Sequence, residues 1–167
     1  MFYEGIFMDI KLKTRTADHV IVFWNKTRDE EIRKMFPISY DSLEEAISLF
    51  EESTKENATS YGKVIYYQGK YVGDIWCYSI DEIDEKMAML SILIFKKEIW
   101  GKGIATEAIR DFCKEIFNKF DIEKIGAFIY SSNYASIGLL QKTRFVEIDT
   151  FLEDGIESKY FELRSIL

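Results

Sequence analysis

Histidine, proline and cysteine are nearly absent from this chain: His19 and Pro37 are single, and Cys77 and Cys113 are the two cysteines in 167 residues. One histidine argues against a His-based metal site, and no metal is expected. The two cysteines sit apart in apolar surroundings with no metal-ligand spacing, so they read as reduced core thiols of a cytoplasmic protein. There is no Ser/Gly-rich linker, low-complexity tract or internal repeat, and so no domain boundary within residues 1–167. No apolar run approaches the ~18 residues of a membrane span. The N-terminus also lacks the basic-then-apolar pattern of a signal peptide. A net charge of −7 disfavours nucleic acid as a partner. It leans weakly toward a cationic substrate, though an acidic surface is also common in soluble proteins.

What is present is apolar and aromatic. The hydrophobic fraction is 47% and the aromatic fraction 16%, which excludes a disordered chain, and the length allows one domain with a sizeable core. Phe7 to Leu12 alternates as a first strand. Thr16 can cap a helix over Ala17 to Asn25, and a second short helix fits Arg28 to Met35. Ser42 with Glu45 three residues on has the form of a capping box; Leu43, Ala46, Ile47 and Phe50 then share one helix face. Tyr61 to Tyr67 and Tyr71 to Tyr78, joined by Gln68-Gly69, read as a hairpin, and Met87 to Phe95 as the next strand. A helix running to about Asn118 carries Ile104, Ala108, Ile109, Phe112, Ile116 and Phe117 at core spacing. Ile125 to Tyr130 is a fifth strand. It would pair in parallel with the fourth, because the crossover is helical. Phe145 to Phe151 and Ser158 to Leu163, around Asp154-Gly155, close the chain as a hairpin.

Between the fourth strand and the long helix lies Trp100-Gly101-Lys102-Gly103-Ile104-Ala105-Thr106. A strand passing through a glycine-rich loop into a helix makes an anion site, since first-turn N–H groups lack intrahelical partners and the helix dipole is positive there. Two glycines fit an ordinary turn equally well. The spacing is not Gly-x-x-x-x-Gly-Lys-Ser/Thr, which excludes a triphosphate P-loop. Thr106 stands where a dinucleotide fingerprint would need its third glycine. After the fifth strand, Asn133-x-x-Ser136 precedes a helix through Leu139-Leu140-Gln141-Lys142 and then Phe145. Asn133 can simply cap that helix.

The two motifs together resemble the GNAT N-acetyltransferases, whose coenzyme loop reads Arg/Gln-x-x-Gly-x-Gly/Ala and whose later motif reads Asn-x-x-Ala/Ser, helix, Gly-Phe. Gly103 and Ala105 match the first. Trp100 in place of Arg/Gln, Thr106-Glu107-Ala108 and an early Trp24-Asn25 element followed by Arg33 look like the ribosomal-protein N-acetyltransferase-like branch. The resemblance implies an α+β fold: a single GNAT domain with a mixed, V-split sheet of about seven strands flanked by helices. It implies acetyl-CoA as cosubstrate and an amine as acceptor, with a homodimer among the assemblies it allows. The coenzyme pyrophosphate would lie on backbone N–H groups of Trp100 to Thr106. Lys102 would be a flexible positive charge there, or only a solvated lysine. The backbone of Leu93, Ile94 and Phe95 would hold the pantetheine arm like an added strand, and Asn133 and Ser136 would close the site.

Three positions depart from the pattern. Leu140 occupies the place of a general-acid tyrosine seven residues after the asparagine. Leu90 occupies that of a basic glutamate early in the fourth strand. Arg144 replaces the glycine whose left-handed conformation usually ends the helix. Catalytic residues are therefore unassigned. Asp74, Tyr78, Ser91 and Tyr130 are near enough in the inferred topology to be considered, though each also fits a strand-face polar or core aromatic role. Two readings follow: an enzyme acetylating a primary amine of a small molecule or a protein N-terminus, or a degenerate module that binds the coenzyme in a regulatory or assembly role.

Overall fold

Alternation of apolar side chains, broken by capping residues, sets the order of elements. The structure is a computed structural model that describes residues 8–36, 38 and 40–166. The first strand, β1 (Ile10–Thr14), starts later than the alternation suggests, and Phe7 lies outside the described residues. Three helices follow: α1 (Ala17–Lys26), α2 (Glu30–Met35) and α3 (Leu43–Ser53). Then come β2 (Tyr61–Tyr67), β3 (Lys70–Asp81) and β4 (Met87–Ile94). A short turn of 3-10 helix, Lys97–Ile99, leads to α4 (Ile104–Lys119), β5 (Lys124–Tyr130), α5 (Tyr134–Lys142), β6 (Val146–Glu153) and β7 (Ile156–Arg164).

The helix starts are chemically marked. Asp29 Oδ1 accepts the N–H groups of Glu31 and Ile32 at the head of α2. Ser42 Oγ accepts that of Glu45 at the head of α3. The reciprocal bond of the expected capping box is displaced by one residue: Glu45 accepts from the Asp41 N–H, not from that of Ser42. Both predicted hairpins turn through two left-handed residues, Gln68-Gly69 and Asp154-Gly155, the twist that suits two-residue connections.

The strands form one sheet in the order β1-β2-β3-β4-β5-β7-β6, mixed in direction. One face is covered by α4, whose Ala108, Ile109, Phe112 and Ile116 are fully buried with Ile65, Ile75, Ile125 and Phe161. Full burial of a side chain such as Phe112 contributes roughly 1.5–3 kcal/mol. Cys77 and Cys113 belong to this core as free thiols; burial pushes Cys113 up to about 12 and Cys77 higher, so both stay protonated. On the other face Phe23 and Ile32, from α1 and α2, pack against Leu93 and Phe95.

What matters for a site is the one parallel pair among the described strands. β4 meets β5 only at Met87–Lys124, Ala88–Ile125 and Met89–Gly126. β5 then continues against β7 through Tyr130–Ser158, and β4 continues against β3 through Ile94–Gly73. Past Met89 the two strands part, which is the V-split expected from the resemblance.

Candidate functional site

The split exposes backbone in an alternating pattern. The Phe95 N–H donates to the Val72 carbonyl on β3 at 3.0 Å, and Leu93 and Ser91 face Asp74 and Trp76 in the same register. The Lys86 carbonyl, in contrast, accepts N–H groups from Glu123 and Lys124 on the β5 side. Odd-numbered residues of β4 thus serve β3, and even-numbered ones point toward β5. Beyond the last β4–β5 pair, Ile92 and Ile94 turn their N–H and C=O groups into the gap. Trp100 Nε1 donates to the Ile94 carbonyl at 2.8 Å, which pins the indole to the strand end. This corrects one expectation: Phe95 offers no N–H to a guest, because that group is already paired with β3.

The glycine loop closes the open end. Gly101 has φ 78 and Gly103 φ 85, both left-handed. Gly103 is the N-cap of α4 and supplies no side-chain cap, so the first-turn N–H groups face the gap. A Cβ on Gly103 would meet only Met8 Cε, at 3.5 Å. The residue type is therefore set by the backbone angle, not by crowding. Opposite, Asn133 caps α5: its Oδ1 accepts the Ser136 N–H at 3.2 Å. That occupies the oxygen and leaves the side-chain NH₂. At the other end of α5, Arg144 adopts φ 70 without being glycine. Phe145 N–H bonds the Leu140 carbonyl (3.0 Å) and Arg144 N–H the Gln141 carbonyl (3.2 Å), the paired closure of a Schellman motif. The missing glycine did not remove the cap.

These parts surround a cleft of about 540 Å³. Ten of the twelve residues singled out in the sequence line it: Leu93, Ile94, Trp100, Gly101, Gly103, Ile104, Ala105, Thr106, Asn133 and Ser136. Two do not. Phe95 is buried beside Phe23 and Ile32, and Lys102 points to solvent. Sequence reasoning missed the α5 face, Ala135, Gly138, Leu139 and Lys142, whose three- and four-residue spacing was readable as one helix stripe. It also missed the far wall, where Ile32 and Met35 of α2 and its C-cap Phe36 close the cleft. Lys97 fixes that wall to the loop, with Nζ 2.8 Å from both Asp29 and Glu31 at the head of α2.

None of the four residues considered for proton transfer lines the cleft. Asp74 is 1% exposed. Arg15 Nε lies 2.8 Å from its Oδ2, and the Tyr71 hydroxyl donates to Oδ1. Burial pushes its carboxyl up to about 6, against the pull of Arg15 and Tyr71. Burial, then the Asp74 charge, raises Tyr71 as well. His19, whose Nε2 is 2.9 Å from the Tyr66 hydroxyl, is lowered chiefly by burial. Tyr78, Ser91 and Tyr130 are half-buried on the strands, and Leu90 and Leu140 are core. Among the described lining residues there is no aspartate, glutamate or histidine; Tyr134 and Lys142 are the ionisable ones. Among the described residues there is also no cluster of three or more metal-ligating side chains, and no helix long and apolar enough to cross a membrane.

Residues 10–146 match the family described as Acetyltransferase (GNAT) domain. The fold is similar to a spermidine N-acetyltransferase from Vibrio cholerae in complex with CoA and spermine (TM-score 0.82, 20% identity, covering 93% of this chain and 95% of that one). It is also similar to an aminoglycoside acetyltransferase in complex with coenzyme A (TM-score 0.78, 16% identity, 93% and 95%). A third is a microcin C7 self-immunity acetyltransferase in complex with acetyl-CoA and AMP (TM-score 0.76, 17% identity, 93% and 92%). No curated protein matches the chain significantly.

Proposed function

The chain belongs to the GNAT acetyltransferase family, acyltransferases that take their acetyl group from acetyl-CoA, and on that premise we propose that it acetylates a primary amine, of a small molecule or a protein N-terminus, by direct attack in a ternary complex. The observation that carries this is the split between β4 and β5, open toward a left-handed Gly103 and the head of α4. Backbone N–H groups from Gly103 to Thr106 suit a pyrophosphate, and the Asn133 NH₂ can bind beside it. Ile92 and Ile94 offer main-chain groups to an extended amide arm, and a strand N–H there can hold the carbonyl oxygen as it becomes negative. Of the β4 positions expected to do this, Ile94 is the one whose backbone direction supports the role. The amine nitrogen bonds to the carbonyl carbon and the C–S bond breaks with its electron pair on sulfur. The surplus proton of the new amide passes to the thiolate or to water. Much of the rate enhancement is positioning of the two reactants.

With no carboxylate or imidazole in the described lining, the amine arrives neutral from solvent. A primary amine such as lysine has a pKa near ~10.4, so turnover climbs with pH past neutrality instead of passing through a bell. Thiol release from acetyl-CoA across a panel of amines and peptides, followed over pH, tests this. A bell-shaped profile would reveal a dedicated acid–base pair. The bare lining also favours a second reading, a coenzyme-binding module of regulatory role; coenzyme binding with no turnover on any amine would select it. We take residues 1–167 as one domain. Trp100, Thr106-Glu107-Ala108 and Trp24-Asn25 are what support the ribosomal-protein N-acetyltransferase-like branch.

A further inference from the structure

The cleft has two poles, and only one suits phosphate. The other is walled by Ile32 and Met35 of α2 and its C-cap Phe36, together with Leu93 of β4. Leu93 lies on the opposite face of the strand from Ile92 and Ile94, so this wall faces what arrives from the far side of the split. Its backing is aromatic: Phe36 stands edge-on to Trp76 at 5.7 Å, and Trp76 to Phe23 at 6.1 Å. Three carboxylates nearby already have cationic partners. Asp29 and Glu31 hold Lys97, and Asp74 is buried with Arg15. A polycation entering here meets apolar surface without a free carboxylate among the described lining residues.

We propose that the acceptor is a primary amine carried on an apolar or aromatic body, seated against Ile32, Met35, Phe36 and Leu93, and not a polyamine or aminoglycoside. This rests on the acetyltransferase reading above. The apolar body leaves water against the α2 wall, and the amine, at its end, points back toward the strand gap. The chain thereby differs from the spermine-bound structure whose fold it shares.

The test uses the full chain with acetyl-CoA and four amines: phenethylamine, tryptamine, spermidine and kanamycin. Coenzyme binding is measured separately by calorimetry. The expected kcat/KM for the two aryl amines exceeds that for spermidine and kanamycin by about tenfold or more, the scale of burying an aromatic group. Phe36→Ala should lower the aryl-amine values by about tenfold with coenzyme affinity unchanged. Met35→Glu, at a side chain already 37% exposed, should narrow the ratio from both sides. Equal or better turnover of spermidine or kanamycin overturns the proposal, as does a ratio that neither variant moves. Coenzyme binding without acetylation of any of the four also overturns it while leaving the coenzyme site standing. Failure to bind coenzyme overturns the acetyltransferase reading itself, and this proposal with it.

Discussion

At the glycine-loop pole the groups facing the cleft are main-chain N–H groups and the cap of a helix; at the α2 pole they are side chains. The first pole asks little of residue identity except where the backbone must be left-handed, so Gly103 carries nearly all of its signature. The second depends on which side chains α2 and its C-cap present: Met35 is exposed, while Ile32 is packed with Leu93 and Phe95 and Phe36 lies against them. On the proposed reading, the coenzyme meets the first kind of surface and the acceptor the second.

The strongest way to break this contrast is at Gly103. Valine there cannot hold φ 85 without strain, and relaxing the loop turns the α4 N–H groups away. Gly103→Val should abolish CoA binding, by ~100-fold or more, in a protein that still melts cooperatively. Unchanged affinity in calorimetric titration would remove the anion site from the loop.

A second test reaches the scaffold behind the α2 pole. Asp74 is held by Arg15, whose guanidinium lies over Phe23, and by Tyr71, which packs on Phe95. Its folded pKa, about 6, lies above the ordinary 3.8, so between those values the folded state binds more protons than the unfolded state. Stability from this group is therefore present below pH ~4 and lost as pH rises to about 6. A rise of roughly two units at ~1.4 kcal/mol each gives about 3 kcal/mol. Asp74→Asn lacks the ionisation. The unfolding free energy of wild type relative to this variant should fall by about that amount between pH 4 and 7 in denaturant titrations. A pH-independent difference would mean that Asp74 titrates alike folded and unfolded.

The mildest test sharpens the contrast. Asn133→Ala removes a side-chain cap worth ~1 kcal/mol of stability. If its NH₂ also meets the coenzyme, CoA affinity drops as well. A lower melting temperature with affinity intact would leave Asn133 a cap alone.

The sequence was informative where one element's local chemistry decided the outcome. The β-hairpins were readable from Gln68-Gly69 and Asp154-Gly155, and the starts of α1 and α3 from Thr16 and Ser42, because turns and caps are settled within a few residues. Arg144 shows the limit: a non-glycine in the left-handed region is tolerated because two hydrogen bonds and the buried Phe145 hold it there, and those partners are tertiary. Phe95 was misjudged for a related reason. Its apolar neighbours announce a strand, but which edge its N–H faces depends on the β3 register. The α2 wall was invisible because its membership in the cleft comes from α2 folding across the sheet onto Leu93, with Lys97 as the tie.

The brevity of the β4–β5 pairing also sets a length. From Met89, where the ladder ends, to Ile94, where Trp100 takes the last carbonyl, the open edge spans five residue steps, at ~3.3 Å each. That is a ruler of roughly 16 Å, shut at one end by paired backbone and at the other by an indole. Any extended guest can be gripped main chain to main chain for that distance and no further, so whatever it carries beyond the ruler must be judged by side chains alone.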